Sequence, residues 1–140
     1  MKKIGYTTGV FDLFHIGHLN ILRRAKENCD YLIVGVSTDE LTKSYKNKAP
    51  VIPYDERKAI VEAIRYVDEV VSQDTLCKIE AHKRLKFNVL FQGDDWKKSP
   101  VYQETVKQFN KIGVEIVYFP YTKGTSSTLI TDVLNNALEK

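Results

Sequence analysis

The chain has 140 residues, 43% of them hydrophobic and 28% charged, with a formal net charge of +3. That is the length of one domain with a sizeable core, and it excludes a disordered chain. No apolar run is long enough to span a membrane, and so small a charge gives no argument for a nucleic-acid partner.

Segments of two kinds alternate along the sequence. Lys3 to Thr8 reads as a first strand. Gly17 to Asn28 follows as a helix, with Leu19, Leu22 and Ala25 at helical spacing. Tyr31 to Val36 is a short continuous apolar run, as expected of a strand covered on both faces. Tyr54 to Tyr66 is helical, with Asp55 and Glu56 in its first turn. Glu69 to Ser72 is the third strand, Thr75 to Leu85 the next helix, and Asn88 to Gln92 the fourth strand. Pro100 to Lys111 is a helix with proline in its first turn and Gly113 beyond its end. Val114 to Phe119 is the fifth strand. A last helix from about Ser127 puts Ile130, Val133, Leu134, Ala137 and Leu138 on one stripe. This alternation predicts a single α/β domain over residues 1–140: a five-stranded parallel sheet with helices on both faces. Ligands of such sheets bind at the carboxyl ends of the strands.

Four of the five strand ends carry residues suited to anions. After the first comes Gly9-Val10-Phe11-Asp12, then His15-Ile16-Gly17-His18. Two histidines bracket a helix start, and the glycines let a ligand approach the backbone. A helix N-terminus presents free N–H groups and the positive end of its dipole, so it suits phosphate and favours neutral histidines as donors. After the second strand, Ser37-Thr38-Asp39 leads into a basic loop with Lys43, Lys46 and Lys48. Arg57 and Arg65 follow, eight residues apart and so facing a similar side of one helix. After the fourth strand, Gly93-Asp94-Asp95-Trp96 reads either as a tight turn or as a pair of acids for base or metal chemistry. After the fifth, Tyr121-Thr122-Lys123-Gly124-Thr125-Ser126-Ser127-Thr128 opens the last helix with hydroxyls that suit both N-capping and phosphate. The convergence points to a nucleotide polyphosphate. No Walker A or GxGxxG pattern is present, which argues against a P-loop kinase or a dinucleotide dehydrogenase. Cys29 and Cys77 match no zinc spacing and read as ordinary thiols. Thr7, Thr8, Asp12 and His15 interrupt any apolar signal segment near the start, so a cytoplasmic enzyme is expected.

The Gly9–Asp12 and His15–His18 motifs together resemble the signature of the nucleotidyltransferase superfamily that includes the cytidylyltransferases. Arg65-Tyr66-Val67-Asp68-Glu69-Val70, Gly93-Asp94-Asp95-Trp96 and the Thr122-x-Gly124-x-Ser126-x-Thr128 run extend the likeness from about residue 2 to residue 132. The resemblance implies a Rossmann-like fold, a homodimer, and transfer of a cytidylyl group from CTP to an alkyl phosphate with Mg2+. The length and motif order are similar to the branch that uses glycerol 3-phosphate in wall or capsule synthesis. Other phosphorylated alcohols or sugars, ATP as donor, or a non-catalytic nucleotide-binding regulator are the alternatives. By resemblance, His15, His18, Lys46 and Arg65 are the catalytic and phosphate-contacting groups. Gly9, Val10, Phe11, Asp12 and Gly17 form the nucleotide turn. Gly93, Asp94 and Trp96 hold the cytosine, and Thr122, Gly124, Ser126, Ser127 and Thr128 contact phosphates. The resemblance assigns no metal ligands. The sequence departs from the family pattern at Val10, where threonine is usual, at Tyr121, where arginine is usual, and at Thr125, where isoleucine is usual. Lys123 is the nearest replacement for the missing positive charge, as a point charge rather than a fork.

Overall fold

The computed structural model describes residues 2–93, 100–119 and 127–138. In chain order the elements are β1 (Ile4–Gly9), α1 (Ile16–Glu27), β2 (Tyr31–Ser37), α2 (Asp39–Lys46), α3 (Tyr54–Glu62), β3 (Glu69–Gln73), α4 (Lys78–Leu85), β4 (Val89–Gly93), α5 (Pro100–Ile112), β5 (Glu115–Phe119) and α6 (Ser127–Leu138). Every strand pairing is parallel, and the order across the sheet is β3-β2-β1-β4-β5. The chain builds outward from β1 to β3, then crosses back to add β4 and β5 on the other side. The direction reverses between β1 and β4, which is where such sheets open a crevice at their carboxyl ends.

The strands alternate their side chains between two cores. Leu32, Val34 and Val36 of β2 pack with Leu22 and Ala25 of α1 and Val61 of α3. Ile33 of β2 turns the other way, to Ala81 of α4 and Phe109 of α5. This is the expected sheet with helices on both faces. Phe91 is fully buried in the first core, stacked on Phe119 with ring centroids 5.5 Å apart. A Cβ on Gly5 would stand 2.5 Å from the Phe91 ring, so that ring occupies the space the glycine leaves. Phe91→Ala is therefore expected to cost about 3–5 kcal/mol of stability in urea unfolding. A loss below about 1 kcal/mol would contradict this packing.

Three boundaries differ from the sequence expectation. The basic loop after β2 is instead helix α2. Thr38 caps it, its Oγ1 accepting from Leu41 N–H at 3.1 Å, and Asn47 ends it in the left-handed conformation. Asp39 and Glu40 in the first turn and Lys43 and Lys46 in the last complement the helix dipole. Two turns hold too few apolar residues for a periodic signal, so the lysines masked the helix. Helix α3 stops at Glu62 rather than Tyr66. Its end tightens into short turns, with Ile64 N–H on Val61 O at 3.1 Å and Val67 N–H on Ile64 O at 3.0 Å. Helix α4 begins at Lys78 rather than Thr75, because the Thr75 hydroxyl accepts from Cys77 N–H and holds that stretch as a turn.

Candidate active site

The β1–α1 connection is a tight turn with two non-glycine residues in the left-handed region, Phe11 at φ 56° and Leu13 at φ 50°. Such residues cost about 1–3 kcal/mol each and persist where the surroundings hold them. Phe11 is held because its ring is buried in the first core. Gly9 permits this: a Cβ there would lie 3.0 Å from the Phe11 ring.

The turn delivers His15 as the N-cap of α1. Its Nδ1 accepts from Gly17 N–H at 3.0 Å, and His18 Nδ1 accepts from His15 N–H at 3.2 Å. The two histidines thus form a reciprocal capping box in which imidazoles replace the usual hydroxyl and carboxylate. An Nδ1 that accepts a hydrogen bond carries no proton, so each neutral ring presents its Nε2–H outward. The rings lie 4.0 Å apart, and His18 also packs against Phe11 and Phe14. Burial, then the neighbouring His15, push the His18 pKa down to about 4; Lys46 adds to this and Asp12 opposes it. Burial also lowers His15. Both are neutral donors at pH 7, and burial is the main cause.

A cleft of about 230 Å³ opens beside this turn, lined by Gly9 to Asp12 and His18 on one wall and by Lys46, Lys48 and Pro50 on the other. The structure therefore brings together His18, the nucleotide turn and Lys46 from separate parts of the chain. His15 is not among the residues that line the cleft but packs beside His18, and Gly17 is buried. The Asp12 carboxylate is aimed at backbone: it accepts from Val51 N–H at 2.8 Å and Ile52 N–H at 2.9 Å. Thr7 pairs with Phe91, so two residues further on Gly93 stands level with Gly9, at the reversal point of the sheet. Asp94, Asp95, Trp96 and the whole of Tyr121 to Ser126 lie outside the described residues. Ser127 and Thr128 begin α6, and their side chains lie outside the description as well.

The two arginines do not share a side. Arg57 is fully buried and bonded to protein oxygens throughout. Arg65 falls beyond the end of α3, exposed, with its guanidinium over the Tyr66 ring at 5.2 Å. It lies in the connection entering β3 at its amino end, across the sheet from His15, and is not brought to the cleft. The early stop of α3 breaks the helical spacing on which their common face depended.

The sequence reading missed Lys78. This first residue of α4 is only 9% exposed, and its Nζ donates to Thr8 Oγ1 at 2.6 Å. Thr8 lines the same cleft. Burial lowers the Lys78 pKa to about 8, and no salt bridge among the described residues includes it. Among the described residues this buried ammonium has the Thr8 hydroxyl as its hydrogen-bond partner and no carboxylate, and an anion at the carboxyl end of β1 would compensate its charge. The available signal was its position: it follows β3, the one strand end without an obvious motif.

Comparison with known proteins agrees with this geometry. A cytidylyltransferase-like family model matches residues 6–133. The chain is 41% identical to the glycerol-3-phosphate cytidylyltransferase of Bacillus subtilis (strain 168), over 94% of this chain and 96% of that protein. It is 38% identical to the Staphylococcus aureus (strain NCTC 8325 / PS 47) protein of the same name, over 96% of each. Among solved structures, the lipopolysaccharide core biosynthesis protein from Thermoplasma volcanium GSS1 is similar. It superposes with a TM-score of 0.72 at 25% identity, covering 89% of this chain and all of that one. With both signature histidines in place on the sheet order described above, the chain belongs to the cytidylyltransferase-like family of nucleotidyltransferases.

Proposed function

We propose that this chain transfers a cytidylyl group from CTP to glycerol 3-phosphate, giving CDP-glycerol and pyrophosphate. The observation that carries the reading is the pair of neutral histidines at the start of α1, each with Nδ1 taken by a backbone N–H and Nε2–H left to donate: His18 lines one cleft with Lys46, and His15 stands beside His18. The likeness to the two glycerol-3-phosphate cytidylyltransferases supports the choice of substrates.

An ionised oxygen of the acceptor phosphate attacks the α-phosphorus of CTP, forming one P–O bond. The bond to the β-phosphate bridging oxygen breaks, and pyrophosphate leaves with that electron pair. A phosphate monoester is already ionised at neutral pH, so no general base is required. Catalysis then rests on positioning and on donors aimed at the developing charge. His15 and His18 supply Nε2–H donors, and Lys46 and Lys48 line the phosphate chain. Lys78 approaches from the opposite face of the sheet and is suited to the acceptor phosphate, the second anion the reaction needs. Gly93, Asp94 and Trp96 would hold the cytosine, and Thr122, Gly124, Ser126, Ser127 and Thr128 would contact the phosphates. Arg65 stands apart from this arrangement within one chain.

Magnesium would arrive bound to the triphosphate. Among the described residues no group of three or more His, Cys, Asp or Glu side chains is placed to hold an ion. A homodimer is part of the proposal, and light scattering on the purified chain tests it. Among the described residues no helix is long and apolar enough to cross a membrane.

A pyrophosphate-release screen of CTP and ATP against phosphorylated alcohols and sugars tests the reaction. CTP with glycerol 3-phosphate is the expected pair, with ATP at least tenfold poorer. Turnover with ATP alone, or with a different acceptor alone, would replace these substrates. Nucleotide binding without any pyrophosphate release would replace the enzyme by a regulator.

A further inference from the structure

Residues 47–53 connect α2 to α3 without helix or strand of their own, yet they form one wall of the cleft with Lys46 and Lys48. What sets that wall against the histidine turn is a small polar network. Ile52 is held at both ends: its N–H donates to Asp12 Oδ1 at 2.9 Å, and its carbonyl accepts from Arg57 Nε at 2.8 Å. Arg57 Nη1 donates to Val10 O at 2.6 Å and to Ser37 O at 2.8 Å. Its Nη2 donates to Asp39 Oδ1 at 2.6 Å. Asp39 Oδ2 in turn accepts from Tyr54 N–H at 3.3 Å, a capping bond that Pro53 at the N-cap has no side-chain oxygen to make. One guanidinium therefore touches the β1–α1 turn, the end of β2, the first turn of α2 and the connection itself.

We propose that Arg57 is a positioning residue: it fixes Lys46 and Lys48 against the His15–His18 turn and so governs polyphosphate binding without touching the ligand. The inference rests on the nucleotidyl-transfer reading above. Arg57 is 0% exposed, so it cannot meet a ligand in the cleft. Three of its four bonds go to backbone carbonyls of different segments, which is alignment of chain rather than neutralisation of charge. A planar fork reaches these divergent oxygens together, whereas a lysine ammonium at the same place satisfies fewer of them and in a different geometry. Asp12 works from the other wall, pinning Val51 and Ile52 by their N–H groups.

The test is a pair of double-mutant cycles read by titration calorimetry with magnesium–CTP. In folded Arg57→Lys, CTP binding is expected to weaken about tenfold or more. In a Lys46→Ala/Lys48→Ala background the same change is expected to cost no more than about twofold, because the side chains it positions are gone. Asp39→Asn keeps the three carbonyl bonds to Arg57 and serves if Arg57→Lys does not fold. Its side chain is 41% exposed, so the protein is expected to tolerate this change more readily. It is expected to weaken CTP several-fold, with the same loss of effect beside Lys46→Ala/Lys48→Ala. Additive effects in the cycle would overturn the proposal. So would a lowered melting temperature with an unchanged dissociation constant, which is the signature of a merely structural arginine. If the unmodified chain binds no nucleoside triphosphate, the underlying reading fails as well, and that result differs from binding with additive variants.

Discussion

His18→Ala is expected to lower kcat by about a hundredfold or more while the protein stays folded. Losing one preorganised donor to a developing charge has that order of effect. The neutral state of His18 sharpens the expectation. Its Nδ1 is taken by His15 N–H and its pKa is about 4, so it stabilises charge as a hydrogen-bond donor and not as an imidazolium. A glutamine amide can place an N–H near the Nε2 position, so His18→Gln should recover part of the lost rate. A protonated imidazole would have no such substitute. For the same reason, the pH profile near neutrality should be that of the acceptor phosphate alone, whose second ionisation lies at about pH 6, and should be unchanged in shape by His18→Gln. Near-normal turnover in folded His18→Ala would remove the histidine from the mechanism, and a titration near pH 6.5 that disappears in His18→Gln would make it an acid. A thermodynamic consequence accompanies this. The unfolded chain takes up a proton on His18 below about pH 6.5, whereas the folded chain refuses it until about pH 4. Stability from this group is therefore full above pH 6.5 and falls on acidification, by about 3 kcal/mol at pH 4. His18→Gln should flatten that part of the pH–stability curve.

The strand ends were legible in the sequence because they are where glycine, histidine and hydroxyl residues interrupt apolar runs. Gly9 and the two histidines follow β1 so closely that turn, helix start and anion site could be read together. The partners of those residues were not legible. Nothing local to Asp12 says that its carboxylate will bind Val51 and Ile52, about 40 residues away. Arg57 and Arg65 looked equivalent as two cations at helical spacing. A four-residue difference in where α3 ends made one a buried staple and the other a surface side chain. Helix α2 was hidden because it is only eight residues long and its lysines and acids outnumber the apolar pair Leu41 and Tyr45. Lys78 was hidden for a related reason: one residue type serves both solvated surface and buried cation, and only packing against Thr8 tells them apart.

Lys78 supplies the second large effect, and it has a pH signature. With a pKa of about 8, the ammonium is about nine-tenths protonated at pH 7 and about one-tenth at pH 9. If it receives the acceptor phosphate, the KM for glycerol 3-phosphate should rise by up to about tenfold between those pH values, with a smaller change in the KM for CTP. Lys78→Met keeps most of the side chain's length and removes the charge. It should raise the acceptor KM by about tenfold or more at pH 7 and abolish the remaining pH dependence above it. Lys78→Arg holds its charge across the range, so its acceptor KM should be flat with pH, though raised because the larger fork must fit where Nζ meets Thr8. Steady-state kinetics with each substrate varied in turn separates the two binding sites. An alkaline rise in the KM for CTP instead, cancelled by the same substitutions, would move Lys78 to the nucleotide phosphates. A flat acceptor KM in the unmodified enzyme, with Lys78→Met losing stability alone, would return the lysine to a packing role. The direction of the pH effect is the discriminating feature: burial lowers this pKa, so the positive charge is lost on the alkaline side of neutrality, where the acceptor is a full dianion and has most to gain from it.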